Sequence, residues 1–88
     1  MESRSSSAGP FDRAVAGALH AAIAERFMTQ RAIAHRAGIA ERTLARYYMG
    51  TSPIPVTRLV EMSDAIGVHP GDIIDGARVI ARRAEAGP

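Results

Sequence analysis

The 88-residue chain is enough for one small domain, carries a net charge of +2 and contains neither cysteine nor lysine, so disulfide staples and thiolate metal sites are excluded. No apolar run approaches the roughly 20 residues of a membrane span and no signal peptide is legible, which makes the cytoplasm the expected compartment. The charge is unevenly placed: residues 1 to 25 hold −1, 26 to 58 hold +5, 59 to 75 hold −4 and the tail +2. One side of such a domain should face anions, nucleic acid being the commonest, with membrane lipid or an acidic protein as alternatives.

In chain order, "MESRSSSAG" is serine-rich and lacks apolar periodicity, so residues 1 to 9 are read as a disordered arm. From about Phe11 to Phe27, Val15, Leu19, Ile23 and Phe27 recur at four-residue spacing, one stripe of a first helix. Thr29 is a good N-cap, and a second helix should run from Gln30 to about Ala37 with Ile33 and Ala34 inward. Gly38 ends it, because a residue just past a helix end often sits in the left-handed region, where glycine has no Cβ to clash. A third helix starts near Ala40 and ends by Gly50; "TSPIP" is a loop that proline keeps out of helix. Val56 to Ile66 forms a fourth helix, with Val56, Leu59, Val60, Met62 and Ile66 as its apolar side and Gly67 closing it. In "VHPGD", Pro70 suits a first helical position, and a fifth helix follows to about Ala84. The reading is all-α: five helices, no strands and no internal repeat, with a domain over residues 10 to 76 and a C-terminal helical extension or tail over 77 to 88.

Two short helices joined by a three- to four-residue turn built on glycine form a helix-turn-helix. Gly38 breaks the helix and redirects it. At 100° per residue, the third helix places Leu44, Tyr47 and Tyr48 on one side and Arg42, Ala45, Arg46 and Met49 on the other. The second side has no apolar reason to be buried. Its arginines and small residues suit entry into a major groove about 12 Å wide, where arginine bonds guanine bidentately and alanine touches a thymine methyl.

Residues 28 to 74, "MTQRAIAHRAGIAERTLARYYMGTSPIPVTRLVEMSDAIGVHPGDII", resemble the lambda-repressor-like (Xre/Cro) helix-turn-helix domain. The matching pattern is Thr29-Gln30, Ile33-Ala34, Gly38-Ile39, Thr43-Leu44, Arg46-Tyr47, Gly50, Leu59, Ala65-Ile66-Gly67-Val68 and Ile73-Ile74; with the first helix it covers about 70 of the 88 residues. The resemblance implies a compact five-helix domain, with helices 2 and 3 as the helix-turn-helix, that binds double-stranded operator DNA, usually as a two-fold dimer. It implies that Gln30 anchors a phosphate and that Glu41, Arg42 and Arg46 read bases, with Ala45 beside them. Thr29, Thr43, Thr51 and Ser52 join Gln30 as candidate phosphate contacts. The chain departs from the family at Ala40, where a serine or threonine usually caps the third helix. It departs again at Tyr48, where a glutamate is frequent, and at His69, where a serine usually opens the fifth helix.

Several residues have a plainer alternative. Arg42 and Arg46 would otherwise be a solvated helix face. Glu41 either accepts from cytosine N4 or sits favourably at a helix N-terminus. Arg31 and Arg36 are read as rim or solvent charges, Tyr47 as core, and Tyr48 as core or as a hydroxyl reaching the DNA backbone. Arg4 is either an arm contact to DNA or disordered. His20, His35 and His69 form no ligand pair at helical spacing, Ser63 and Asp64 have no histidine at motif spacing, and Met28, Met49 and Met62 read as gap-fillers. No metal, cofactor, small-molecule ligand or catalytic activity is expected.

The function expected from the sequence is therefore that of a small, sequence-specific DNA-binding regulator of bacterial or phage origin. Occlusion of a promoter is favoured over activation, for want of an effector domain. A DNA-binding antitoxin, with "ARVIARRAEAGP" as its toxin-binding segment, and a helix-turn-helix turned protein-interaction module are the alternatives. Ile73, Ala77, Ile80 and Ala84 form a stripe on the fifth helix longer than the core of the domain needs, part of which would pack on a two-fold mate; otherwise Ile73 and Ile74 fill the domain's own core and the rest frays.

Overall fold

A computed structural model of the chain describes residues 8 to 87. Residues 1 to 7, with Arg4 and most of the expected arm, lie outside them. The described residues form five helices and no strand: α1 (Pro10–Glu25), α2 (Gln30–Ala37), α3 (Glu41–Tyr48), α4 (Val56–Ile66) and α5 (Pro70–Ala86). Each start has a local cause. Pro10 and Pro70 occupy first helical turns, where the missing N–H costs nothing. The Asp12 carboxylate accepts from the Gly9 N–H at 2.8 Å, and Thr29 Oγ1 accepts from the Ala32 N–H at 3.1 Å. His69 caps α5, its Nδ1 accepting from the Gly71 N–H at 3.0 Å. Ala40 supplies no side-chain cap to α3.

α1 packs on α5 and α3, α4 on α2 and α5, and α2 on α3. Leu19, Ile33, Leu44, Met62 and Ala77 are fully buried at the centre, and an alanine-rich face of α1 (Ala14, Ala18, Ala22) brings the helices close.

The first helix stops earlier than its stripe suggests, and Phe27 is no part of the core. Arg26 ends the helix, Phe27 turns into the left-handed region at φ 54°, and the Met28 N–H bonds the Ile23 carbonyl at 3.3 Å. Phe27 is left 95% exposed. A strict four-residue spacing drifts about 40° per step, so Phe27 would have lain about 120° from Val15 even in a longer helix. The fourth helix is rotated relative to expectation for a related reason. Val56 and Val60 are exposed, and Ser63 and Ala65 join Leu59, Met62 and Ile66 inside. At 100° per residue Val56 lies about 20° and Val60 about 60° beyond Ser63, just over the rim of the buried arc.

Ser63 is fully buried, and its hydroxyl has no hydrogen-bond partner among the described residues. An unpaired buried hydroxyl costs roughly 1–3 kcal/mol. Ser63→Ala removes that cost and improves helix propensity, so it should raise stability by about 1 kcal/mol, measured by urea denaturation. An unchanged or lower midpoint would mean that the hydroxyl is satisfied in solution.

Candidate nucleic-acid interface

The turn between α2 and α3 is built as the glycine demands. Gly38 adopts φ 70°, ψ 32°; its N–H bonds the His35 carbonyl at 3.3 Å, and the Ile39 N–H bonds the Ala34 carbonyl at 2.9 Å. These two bonds close the end of α2 in a Schellman turn. Ile39, 5% exposed, anchors the turn in the core, and α3 leaves in a new direction.

On α3 the inner face is Leu44 and Tyr47, both buried, with Tyr48 half-buried beside them. The outer face carries Glu41, Arg42, Arg46 and Met49, all exposed, with Thr43 and Ala45 half-buried at its margins. Met49 is 71% exposed, so it is no gap-filler; that role belongs to Met62 in the core. Ala45 keeps the surface between the arginines low.

The arginines of the +5 segment do not act as one patch. Arg26 pairs with Glu25 at 3.6 Å and Arg58 with Glu61 at 3.0 Å. Arg36, read from the sequence as a rim or solvent charge, donates from Nη1 to the Ala65 carbonyl at 3.3 Å; its role is to close the end of α4. It lies beside Glu61 and Asp64, in a shallow groove between α2 and α4. Arg31 reaches Glu41 at 3.3 Å across the outer edge of the helix-turn-helix, with both side chains well exposed. Such a pair is worth at most about 1 kcal/mol and opens readily. Among the described residues Arg42 and Arg46 have no acidic or carbonyl partner, and they project from the same face.

The candidate phosphate contacts divide by what their hydroxyls already do. Thr29 Oγ1 accepts the cap bond, so its own hydrogen remains available to donate. Gln30 is exposed in the first turn of α2. Thr51 Oγ1 donates to the Arg46 carbonyl at 3.2 Å, and its N–H bonds the same carbonyl at 3.1 Å, so its hydrogen is occupied in closing α3. Ser52 is half-buried in the loop that follows. Thus Thr29, Gln30, Arg42, Thr43, Ala45 and Arg46 share the helix-turn-helix, Glu41 is turned toward Arg31, and Thr51 and Ser52 border the end of α3.

Sequence reasoning missed the partner of Tyr48. His20, on α1, stacks on its ring with centroids 3.7 Å apart, and His20 Nε2 bonds the Tyr48 carbonyl. Nothing in the spacing of two residues 28 positions apart announces that contact. Among the described residues no group of three or more His, Asp or Glu side chains is placed to hold a metal ion, and no helix is long and apolar enough to cross a membrane.

Residues 18–75 match the family model described as a Cro/C1-type HTH DNA-binding domain. No curated protein matches the chain. Two crystal structures of the clp gene regulator ClgR from Corynebacterium glutamicum are similar. One gives a TM-score of 0.82 at 20% identity over 86% of this chain and 81% of that one. The other gives 0.76, also at 20% identity, over 80% of this chain and 91% of that one. At that identity the likeness is one of fold.

Proposed function

Because the chain belongs to the Cro/C1-type helix-turn-helix DNA-binding family, we propose that it is a sequence-specific transcriptional regulator that docks α3 in the major groove of an operator. The observation that carries this reading is the outer face of α3, where Arg42 and Arg46 project beside Ala45 with no partner among the described residues. Arg42 and Arg46 read base edges, Ala45 permits the approach, and Glu41 reads a base only when its exposed pair with Arg31 opens. Thr29, Gln30 and Thr43 position the domain on phosphates, with Ser52 at the end of α3; Thr51 joins them only by rotating its hydroxyl away from the Arg46 carbonyl.

The output is repression by occlusion of a promoter in a bacterial cytoplasm, of the host or of the bacterium itself. Ile73 and Ala77 of the α5 stripe are buried in the domain's own core, and two copies pair through the last turns of α5, where Ile80 and Ala84 stay exposed beside Phe11. That pairing sets two recognition helices one DNA turn apart, about 34 Å. Selection of bound duplexes from a random pool tests both parts. Inverted half-sites about ten base pairs apart support the dimer, and a single half-site argues against it. Recovery of no preferred sequence would overturn the sequence-specific reading.

The salt dependence follows from the narrowed charge face. Arg42 and Arg46 in the groove, with Arg31 released from its weak pair, bring about two to three positive charges per protomer to the DNA and release a like number of condensed counterions. The expected log–log slope of affinity against salt is therefore near −2 to −3. A slope shallower than about −1 would mean that these arginines do not face DNA. One steeper than about −5 would mean that the whole +5 segment does.

A further inference from the structure

We propose that His20, on α1, is a positioning residue for DNA recognition, setting the angle at which α3 presents Arg42 and Arg46; this rests on the DNA-binding reading above. The last carbonyls of a helix have no partner within it and must be satisfied elsewhere. Those of Ala45, Arg46 and Tyr47 accept from the N–H groups of Met49, Thr51 and Gly50 at 2.9, 3.1 and 3.1 Å. The Tyr48 carbonyl is taken by His20 Nε2, from a different helix. The same imidazole lies flat on the Tyr48 ring, 3.7 Å between centroids and 22° from parallel. One side chain thus holds both the main chain and the ring of the last residue of the recognition helix.

The seat extends along α1. Gly50, at φ 73°, lies against that helix, where a Cβ would be in ordinary contact at 3.4 Å from Arg13 Cγ and 3.5 Å from Ala16 Cβ. Arg13, Ala16 and His20 fall at successive turns of one side of α1, so they form a single track for the end of α3. The other end of α3 is seated in the core by Ile39 but has little polar fastening. Ala40 offers no side-chain cap, and the Glu41 pair with Arg31 is exposed.

Leverage makes this matter for recognition. An eight-residue helix is about 12 Å long. A tilt of about 10° at its C-terminal seat moves its far end, beside Arg42, by about 2 Å, more than a bidentate arginine–guanine hydrogen bond tolerates, whereas Arg46, close to the seat, is reoriented more than displaced. Attraction to phosphates is sequence-independent and far less sensitive to such a tilt. Loss of the His20 contacts should therefore reduce specificity rather than binding as such.

The test uses the full chain and the best duplex recovered by selection, with a random-sequence duplex as reference and thermal melting as a parallel readout. His20→Ala removes stack and donor together. It should weaken binding to the selected duplex by about tenfold, leaving affinity for random duplex within about twofold. His20→Phe keeps a ring without a donor and His20→Gln a donor without the ring, so each should restore part of the lost preference. These two also decide the question if His20→Ala does not fold. An unchanged preference in all three variants overturns the proposal. So does a parallel loss on both duplexes that tracks the melting temperature, which would make His20 a stabilising residue only. Wild-type protein that binds no duplex defeats the DNA-binding reading itself, and this inference with it.

Discussion

Arg46→Ala is expected to weaken binding to the selected operator by about 1–3 kcal/mol and to relax the preference at one base pair. Arg46 projects from the outer face of α3 one turn beyond Arg42, and it has no acidic partner among the described residues. In the proposed docking, a guanidinium in that position would meet guanine O6 and N7 with two parallel bonds, which no smaller side chain replaces. The fold should survive, because the side chain is exposed and alanine is the best helix former. Arg36→Ala is the control. Its guanidinium bonds the Ala65 carbonyl at the end of α4, so its loss should lower stability by about 1 kcal/mol and leave the selected sequence unchanged. Binding-site selection and urea denaturation on both variants separate the two roles. An unchanged logo for Arg46→Ala with an altered one for Arg36→Ala would place the recognition face elsewhere.

Leu44→Ala should have the largest effect on the fold itself, a loss of about 2–5 kcal/mol. Leu44 is fully buried on the inner face of α3 and belongs to the same cluster as Ile33 of α2, Leu19 of α1 and Met62 of α4. Truncating it opens a cavity under the recognition helix, where an 88-residue chain has few other layers of core to compensate. Single domains are stable by only about 5–15 kcal/mol, so much of the margin would go. Urea denaturation should show a lower midpoint, and DNA affinity should fall for every sequence alike as the folded fraction drops. A midpoint within about 0.5 kcal/mol of wild type would mean that the core collapses onto the gap. An intact midpoint with a loss confined to the selected sequence would mean that Leu44 acts by orienting α3 instead.

The two substitutions sit on opposite faces of one helix, and the sequence separated those faces without help. Helix boundaries, the glycine turn and the inward and outward sides of α3 depend on residues within about four positions of one another, because the α-helix repeats every 3.6 residues. Thr29 as cap, Gly38 as left-handed terminator, Leu44 and Tyr47 as inner face and Arg42 and Arg46 as outer face are all local statements, and each has its counterpart in the structure. Five helices were legible for the same reason.

The tertiary structure decided what a local pattern leaves open: which part of an apolar stripe is covered, and by what. Val56 and Val60 looked as inward as Leu59 until the packing of α4 against α2 and α5 put Ser63 and Ala65 inside in their place. Phe27 belonged to the stripe of α1 until the chain turned at Arg26. Arg36 read as a rim or solvent charge until its reach to the Ala65 carbonyl gave it a place at the end of α4. His20 and Tyr48 stand 28 residues apart, and only the placement of α1 beneath the end of α3 brings their rings together. Periodicity fixes where a side chain lies around its own helix, whereas the partner it meets depends on the relative placement of whole helices. That placement is set by the summed fit of many small contacts and has no signature in any one stretch of sequence.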